Sequence, residues 1–510
     1  MSRSSYTQKL SLGLAFVVAT AGGMLVWTGG TATAASVDPP SGVKVASVAS
    51  TSFTVTTNTS TNAIDYRMYV SPVKTDVYYA NITADNMSSS RRTVDSSKPS
   101  MTVSGLSFIN RPYYYRIVAI NGASQRYSDI YSVGLRPATP TALATHTGAT
   151  GTYLTWSAGS ATGFIVVQST NTAFTSGVRY YSVRDQTHQF TPYGLTKGAT
   201  YYYRIRADNN STPSSYSAGY ARVKVANSSQ SVKAMTFNIL QLTSDGTSEG
   251  GQTVAPWSSR RTVAAGLIKQ STPDVVAVQE AWPYTQAAVG PRQIDSLVSA
   301  LGSTYKLART EVPPPQPGYF RTGDYIVYRP SVLTPVGAGG SWNIGDSHYA
   351  AYQILQYRST GARFLFTSVH LLPTLYSKTY DTARQNETKS LIRQASAYAA
   401  AHHVPVIYGG DFNSDTAASH SFDGPGITMA AAKMGDARYV AQSLSNTQYD
   451  TANQYMRTPP AYDYAIDEFY APPGTAVYSW RQIVNLSNGS FVGTMASDHN
   501  PLYVNLVIPY

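Results

Sequence analysis

The segment VPVIYGGDFNSDT, residues 404–416, breaks an apolar run at Gly409 and Gly410 and then presents Asp411 and Asn413. An acid and an amide at the mouth of a buried strand serve either a turn or chemistry at a phosphate. Five other strand-like runs carry a comparable group. KAMTF is followed by Asn238, DVVAVQ ends in Glu280, and RFLFTSV ends in His370. YAIDEFY contains Asp467, and Asp498 and His499 stand just before PLYVNLVI, with Asn500 between. Each has an ordinary reading when taken singly: Glu280 a helix-capping acid, Asn238 a turn residue, Asp498 and His499 a solvated loop. Taken together they are polar groups at the ends of rigid strands, which is how such folds build sites. Cleavage of a phosphodiester needs a cation on the non-bridging oxygens, an activated water and relief of charge at the leaving oxygen. Hard oxygen donors in a chain without cysteine favour Mg2+ over zinc.

The elements that must position these groups are legible from Lys233 onward. Short apolar runs alternate there with helix-like segments such as AGLIKQ and ETKSLIRQASAYAAAHH, which predicts one α/β domain over 231–510. The stretches TFNIL, VQE, SVHLL, GGDFN, IDEFY and SDHNP, in this order, resemble the endonuclease/exonuclease/phosphatase superfamily. The resemblance implies a four-layer sandwich, two mixed β-sheets flanked by helices, with the site at one rim. It further implies that Glu280 is the main metal carboxylate with Asn238 close by, and that Asp498 serves the metal or its waters. Asp411 and Asn413 would orient and deprotonate the attacking water. Asp467 would hold His499, and His370 would contact the phosphate or assist the leaving group. Arg384, in TARQNETKSLI, is read either as a phosphate-binding residue or as part of a solvated helix face. Glu468, in IDEFY, departs from the family and adds negative charge near the rim.

The N-terminal half contains a repeat. TSFTVTT at 51–57 aligns with TYLTWSA at 152–158, and VSGLSFINRPYYYRIVAI at 103–120 aligns with PYGLTKGATYYYRIRA at 192–207. Alternation in YYYRIVAI puts Tyr113, Tyr115 and Ile117 on one face, the pattern of a half-buried strand. Both repeats resemble fibronectin type III modules, over 38–137 and 139–226, each an all-β sandwich with a leucine (Leu106, Leu195) ahead of the tyrosine-rich strand. The second has Trp156 where the first has Val55. RPATPT at 136–141 and ANSSQS at 226–231 read as linkers.

Charge follows the same division. Residues 233–510 hold 19 Lys or Arg and 19 Asp or Glu, so the net +11 lies wholly in the N-terminal part. That part suits an anionic polymer or an anionic cell-wall or polysaccharide surface. Arg3 and Lys9, an apolar stretch over 10–26 and an A-x-A spacing at Ala32 and Ala34 read as a signal peptide over 1–35, hence export; an uncleaved anchor is the competing reading.

The combined expectation is a secreted, metal-dependent phosphodiesterase of nuclease type, using Mg2+ or else Mn2+ or Ca2+, with nucleic acid as substrate. A sphingomyelinase-like or other phospholipid phosphodiesterase or phosphatase is the second reading. A cell-surface or polysaccharide-binding protein, or a polysaccharide-degrading enzyme with Asp463 and Asp467 as its carboxylates, is the reading from another class.

Overall fold

The computed structural model describes residues 36–510 apart from 75–76, 78–90, 107–111, 123, 149–150, 160, 162, 185–187, 209–212, 284–291, 309–322, 346–347, 374–377, 415–422 and 463. The stretch 1–35 read as a signal peptide and Asp463 lie outside the described residues.

Two β-sandwiches come first. In the first, Lys44–Val48, Phe53–Thr56 and Ser100–Val103 form one sheet. It faces a second sheet containing Asp65–Ser71, Arg92–Ser96 and Tyr113–Asn121. Alternation sends Tyr113, Tyr115 and Ile117 inward against Phe53, Val55 and Met101, in one core. In the second, Thr141–Gly148, Gly151–Ser157 and Gln189–Phe190 face the four-stranded sheet Arg179–Val183, Gly163–Ser169, Thr200–Asp208, Ala221–Lys224. Trp156 packs edge-on to Phe164 in its core, with ring centroids 5.1 Å apart.

The C-terminal domain is built from β1 (Ser229–Asn238), β2 (Val275–Ala281), β3 (Lys306–Leu307), β4 (Gly323–Tyr328), β5 (Leu333–Gly345), β6 (His348–Tyr357), β7 (Arg363–His370), β8 (Val406–Asp411), β9 (Gly435–Asp436), β10 (Ser443–Ser445), β11 (Asp467–Ala471), β12 (Ala476–Gln482) and β13 (Leu502–Pro509). One mixed sheet runs β3-β4-β2-β1-β13-β12-β10, the other β5-β6-β7-β8-β11-β9. Their inner faces meet through Ala234, Ala277, Ile326, Phe366, Ile407 and Phe469. The outer face of the first sheet is covered by α1 (Trp257–Ser271) and α2 (Gln293–Leu301), that of the second by α3 (Lys378–His402) and α4 (Gly424–Ala431). This is the expected four-layer sandwich. Helix α3 begins well before the ETKSLI run, and β1 begins at Ser229, pairing Ser229 with Pro509. The second half of the ANSSQS stretch, residues 229–231, is therefore strand rather than linker.

Strand alternation decides which side chains reach the rim between the sheets. In β1, Val232, Ala234 and Thr236 point to the facing sheet, so Asn238 does too. The same parity aims His370 in β7, Asp411 in β8 and Asp467 in β11 inward. Register brings those three level: His370 pairs with Asp411, and Asp411 with Asp467. The two glycines of GGD make this row compact. A Cβ on Gly410 would lie 2.1 Å from the Val369 carbonyl oxygen, and one on Gly409 2.4 Å from the Phe469 ring. Parity also corrects the expectation for Glu468. It points to the opposite side from Asp467, is buried beside Tyr470, and adds no charge to the rim.

The second sandwich is seated on the C-terminal domain. The Arg184 backbone N–H donates to the Tyr439 carbonyl (2.8 Å), Gln189 Nε2 to the Lys433 carbonyl (2.7 Å), and the Gly474 N–H to Thr191 Oγ1 (3.0 Å). Tyr193 meets Tyr478 edge-to-face at 5.7 Å. Gly435 of β9 and Gln442, next to β10, line the same seam. Both are at the outermost strands of their sheets, whose unpaired edges would otherwise face solvent.

Candidate active site

Asn238 is fully buried and links the two sheets. Its Nδ2 donates to Glu280 Oε1 and to Asp411 Oδ2, each at 3.0 Å, while its Oδ1 accepts the Leu240 N–H at 3.1 Å. Glu280 reaches it through a β-bulge. Pairing of β2 with β4 shifts register between Val278 and Ala281, and Glu280 itself has φ 58°. Bulges re-aim side chains, and a left-handed non-glycine residue at a site stores strain that the surroundings must hold. The Gln241 N–H donating to Glu280 Oε2 (3.3 Å) is one such restraint.

Opposite, His499 Nδ1 bonds Asp467 Oδ2 at 2.8 Å, and Nε2 lies 3.7 Å from Asp411 Oδ2. The Asp467 N–H in turn donates to Thr451 Oγ1 at 3.1 Å. Burial alone would lower the His499 pKa; Asp467, Asp411 and Asp498 outweigh it and push it well above the ordinary range. His370 Nε2 lies 3.7 Å from Asp411 Oδ2 and 3.9 Å from Glu280 Oε1. Asn413, also at positive φ (46°), donates its backbone N–H to Asp411 Oδ1 (2.9 Å) and its Nδ2 to the Leu371 carbonyl (3.0 Å).

Asp498 completes the ring of acids. Burial, followed by Glu280 and Glu249 and against the opposing pull of His499, raises its carboxyl to about 6. Carboxylates crowded together in this way form a donor set suited to a divalent cation. Asp411, Asp467 and His499 also bring ligand atoms within 4.8 Å of one another. All donors are oxygen or imidazole nitrogen, which fits a hard ion such as Mg2+ or Mn2+.

Eight of the nine residues singled out from sequence thus converge on this rim; Arg384 does not. Its side chain is fully buried in α3, with Nη1 on the Leu372 carbonyl (3.2 Å) and Nη2 3.9 Å from Asp381. Both sequence readings, a phosphate-facing arginine and a solvated helix face, give way to one that braces the loop after His370.

Three participants were not read from sequence. Asp324 opens the apolar run GDYIVY on the same inward parity as Ile326, and its Oδ1 is buried without a hydrogen-bond partner. Burial first, then Asp411 and Glu280, raise its carboxyl well above the usual range. The signal, an acid at a strand end, was the one used for the others. Thr451 lies in an irregular loop with no such signal. Arg260 is fully buried in α1 on the stripe formed by Trp257, Ala264 and Ile268. Its guanidinium donates to the carbonyls of Ile239 (2.9 Å), Leu240 (3.1 Å) and Ala496 (3.1 Å) and to Asp245 (2.8 Å). An arginine on an apolar stripe is the mark that identifies it.

Among family models, the one described as "Endonuclease/Exonuclease/phosphatase family" matches residues 235–499. No curated protein matches the chain. Solved structures similar to it include an endonuclease/exonuclease/phosphatase from Bacteroides vulgatus, at 20% identity over 54% of this chain and 98% of that one, TM-score 0.43. The mannosyl-6-phosphatase of Bacteroides thetaiotaomicron is 16% identical over 54% and 99%, TM-score 0.41. D. rerio TDP2 complexed with a single-strand DNA product is 16% identical over 54% and 99%, TM-score 0.38.

Proposed function

Since the chain belongs to the endonuclease/exonuclease/phosphatase family, whose members hydrolyse phosphoester bonds, we propose that it is an exported, divalent-cation-dependent phosphodiesterase acting on nucleic acid. The observation that carries this reading is the unbroken chain of contacts Glu280–Asn238–Asp411–His499–Asp467 across the rim of the two sheets.

Glu280 and Asp498 would hold the cation, which when bound offsets charge on the non-bridging oxygens and lowers the pKa of bound water. Asn238 keeps Glu280 and Asp411 apart and fixed by donating to both. Asp411, its Oδ1 held by the Asn413 N–H, has Oδ2 at the centre of the rim and takes the proton of the attacking water there. Asp467 fixes the His499 ring through Nδ1, so that Nε2–H faces the phosphate oxygen that gains charge as the water oxygen bonds to phosphorus. His370 lies on the other side of Asp411, within reach of the leaving oxygen that departs with the P–O electron pair and picks up a proton. The basic N-terminal sandwiches, which we read as fibronectin type III modules, supply attachment to polyanions or to a cell-wall surface.

The reading is tested with plasmid DNA, RNA, sphingomyelin, a phosphoinositide and a chromogenic phosphate monoester, each assayed with Mg2+ and with EDTA. At least one nucleic acid is expected to be cleaved only with the cation present. Glu280→Gln, which keeps the shape and removes the charge, is expected to lower that rate by about a hundredfold or more. Full activity in EDTA, or in Glu280→Gln, would sink the mechanism; cleavage of a lipid alone would overturn the substrate.

A further inference from the structure

The outer face of the four-stranded sheet in the second sandwich is both cationic and aromatic. Val166, Tyr181, Tyr203, Ile205 and Val223 face the core. Their alternates therefore face out, and these include Tyr180, Tyr202, Arg204, Arg206, Arg222 and Lys224. Register sets them side by side. Tyr202 is opposite Arg222, and Val167 is flanked by Tyr180 on one strand and Arg204 on the other. The Arg204 guanidinium lies over the rings of Tyr216 (4.1 Å) and Phe174 (4.5 Å), and that of Arg206 over Tyr216 (5.3 Å). The Nε atoms of Arg204 and Arg206 are buried without an acceptor.

Acids do not balance this face. Residues 139–226 contain seven Lys or Arg and two acids, Asp185 and Asp208. Asp208 shares the outward parity of Arg204 and Arg206 and closes their strand, one acid against the four cations Arg204, Arg206, Arg222 and Lys224, and Asp185 is outside the described residues. Cations gathered on one face repel one another, and those stacked on rings have given up part of their hydration. A polyanion relieves both costs. Rings are the second half of the recognition: Tyr180 is 65% exposed and Tyr220 is 49% exposed. Large exposed rings among cations match an unpaired base stacked beside its phosphate, the combination that holds single strands. A duplex hides its base faces, and a ring-free polyphosphate leaves the tyrosines unused.

We propose that this face of the second sandwich binds a single strand of nucleic acid, with phosphates on Arg222 and Lys224 and a base on Tyr180. The site is separate from the catalytic rim. Its test is run in EDTA with no hydrolysis readout, so its failure and that of the phosphodiesterase reading are distinguishable.

The experiment is fluorescence anisotropy of the full chain with a labelled oligothymidylate over a range of salt concentrations. Saturable binding is expected. The double variant Arg222→Ser, Lys224→Ser should bind more weakly, and the slope of log K against log salt should shrink by about 1.4, the loss of two single-strand phosphate contacts. Tyr180→Ala should weaken binding about fivefold or more and leave the slope unchanged. All three side chains are exposed, so the melting temperature of each variant should match wild type. Wild-type affinity in both variants would overturn the proposal. So would inorganic polyphosphate or duplex DNA binding as tightly as the oligothymidylate with Tyr180→Ala having no effect, since the face would then be reading charge alone.

Discussion

His499→Ala is expected to lower kcat for phosphoester hydrolysis by about a hundred- to ten-thousandfold. The bond of the imidazole to Asp467 and its approach to Asp411 are what is lost. Asp467→Asn should fall in the same range for a different reason. The asparagine keeps the shape, but its amide cannot stabilise a cationic ring, and the wrong tautomer of His499 then faces the substrate. Because the two residues act as one unit, the double variant should be no slower than His499→Ala alone. Steady-state kinetics of the three variants check this. Independent, multiplicative losses would mean that Asp467 acts elsewhere than through His499.

Arg260→Ala is expected to cost about 3–5 kcal/mol of unfolding free energy, measured by urea denaturation. The side chain touches no substrate-facing atom. It supplies donors to six acceptors: Ala255, Ile239, Leu240, Ala496 and Gln241 carbonyls and the Asp245 carboxylate. Through them it fastens the turn after β1 to the segment that leads into Asp498 and His499. Alanine leaves these buried groups without partners. Arg260→Lys should recover only part of the loss, because an ammonium has three donors and no planar fork. A cost below about 1 kcal/mol would show that water replaces the guanidinium without penalty.

The catalytic half of the molecule was legible because its groups sit where alternation is strict. Asn238, His370, Asp411 and Asp467 all occupy inward positions at the ends of buried strands, and a period of two is visible in sequence. The same rule, applied one residue further, places Glu468 outside the site, which composition near a motif does not reveal. Glu280 is different. It owes its aim to a bulge and a left-handed backbone, and only the motif identified it. Arg384 and Arg260 were misread or missed for one physical reason. A buried arginine takes its meaning from carbonyls at the ends of other elements, and those contacts are long-range. The boundary after residue 226 was blurred because Ser229 and Ser231 belong to a turn-favouring type that strand pairing with β13 overrides.

Order of synthesis gives the seam between the second sandwich and the C-terminal domain a role in folding. Domains complete themselves from the N-terminus as the chain emerges. The second sandwich ends about 200 residues before β9 and β10 are made. Those two short outer strands are born next to a finished neighbour that already presents Ser182, Gln189 and Thr191 to receive them. A finished sandwich at that point would close the newly made edges before another nascent chain could pair with them.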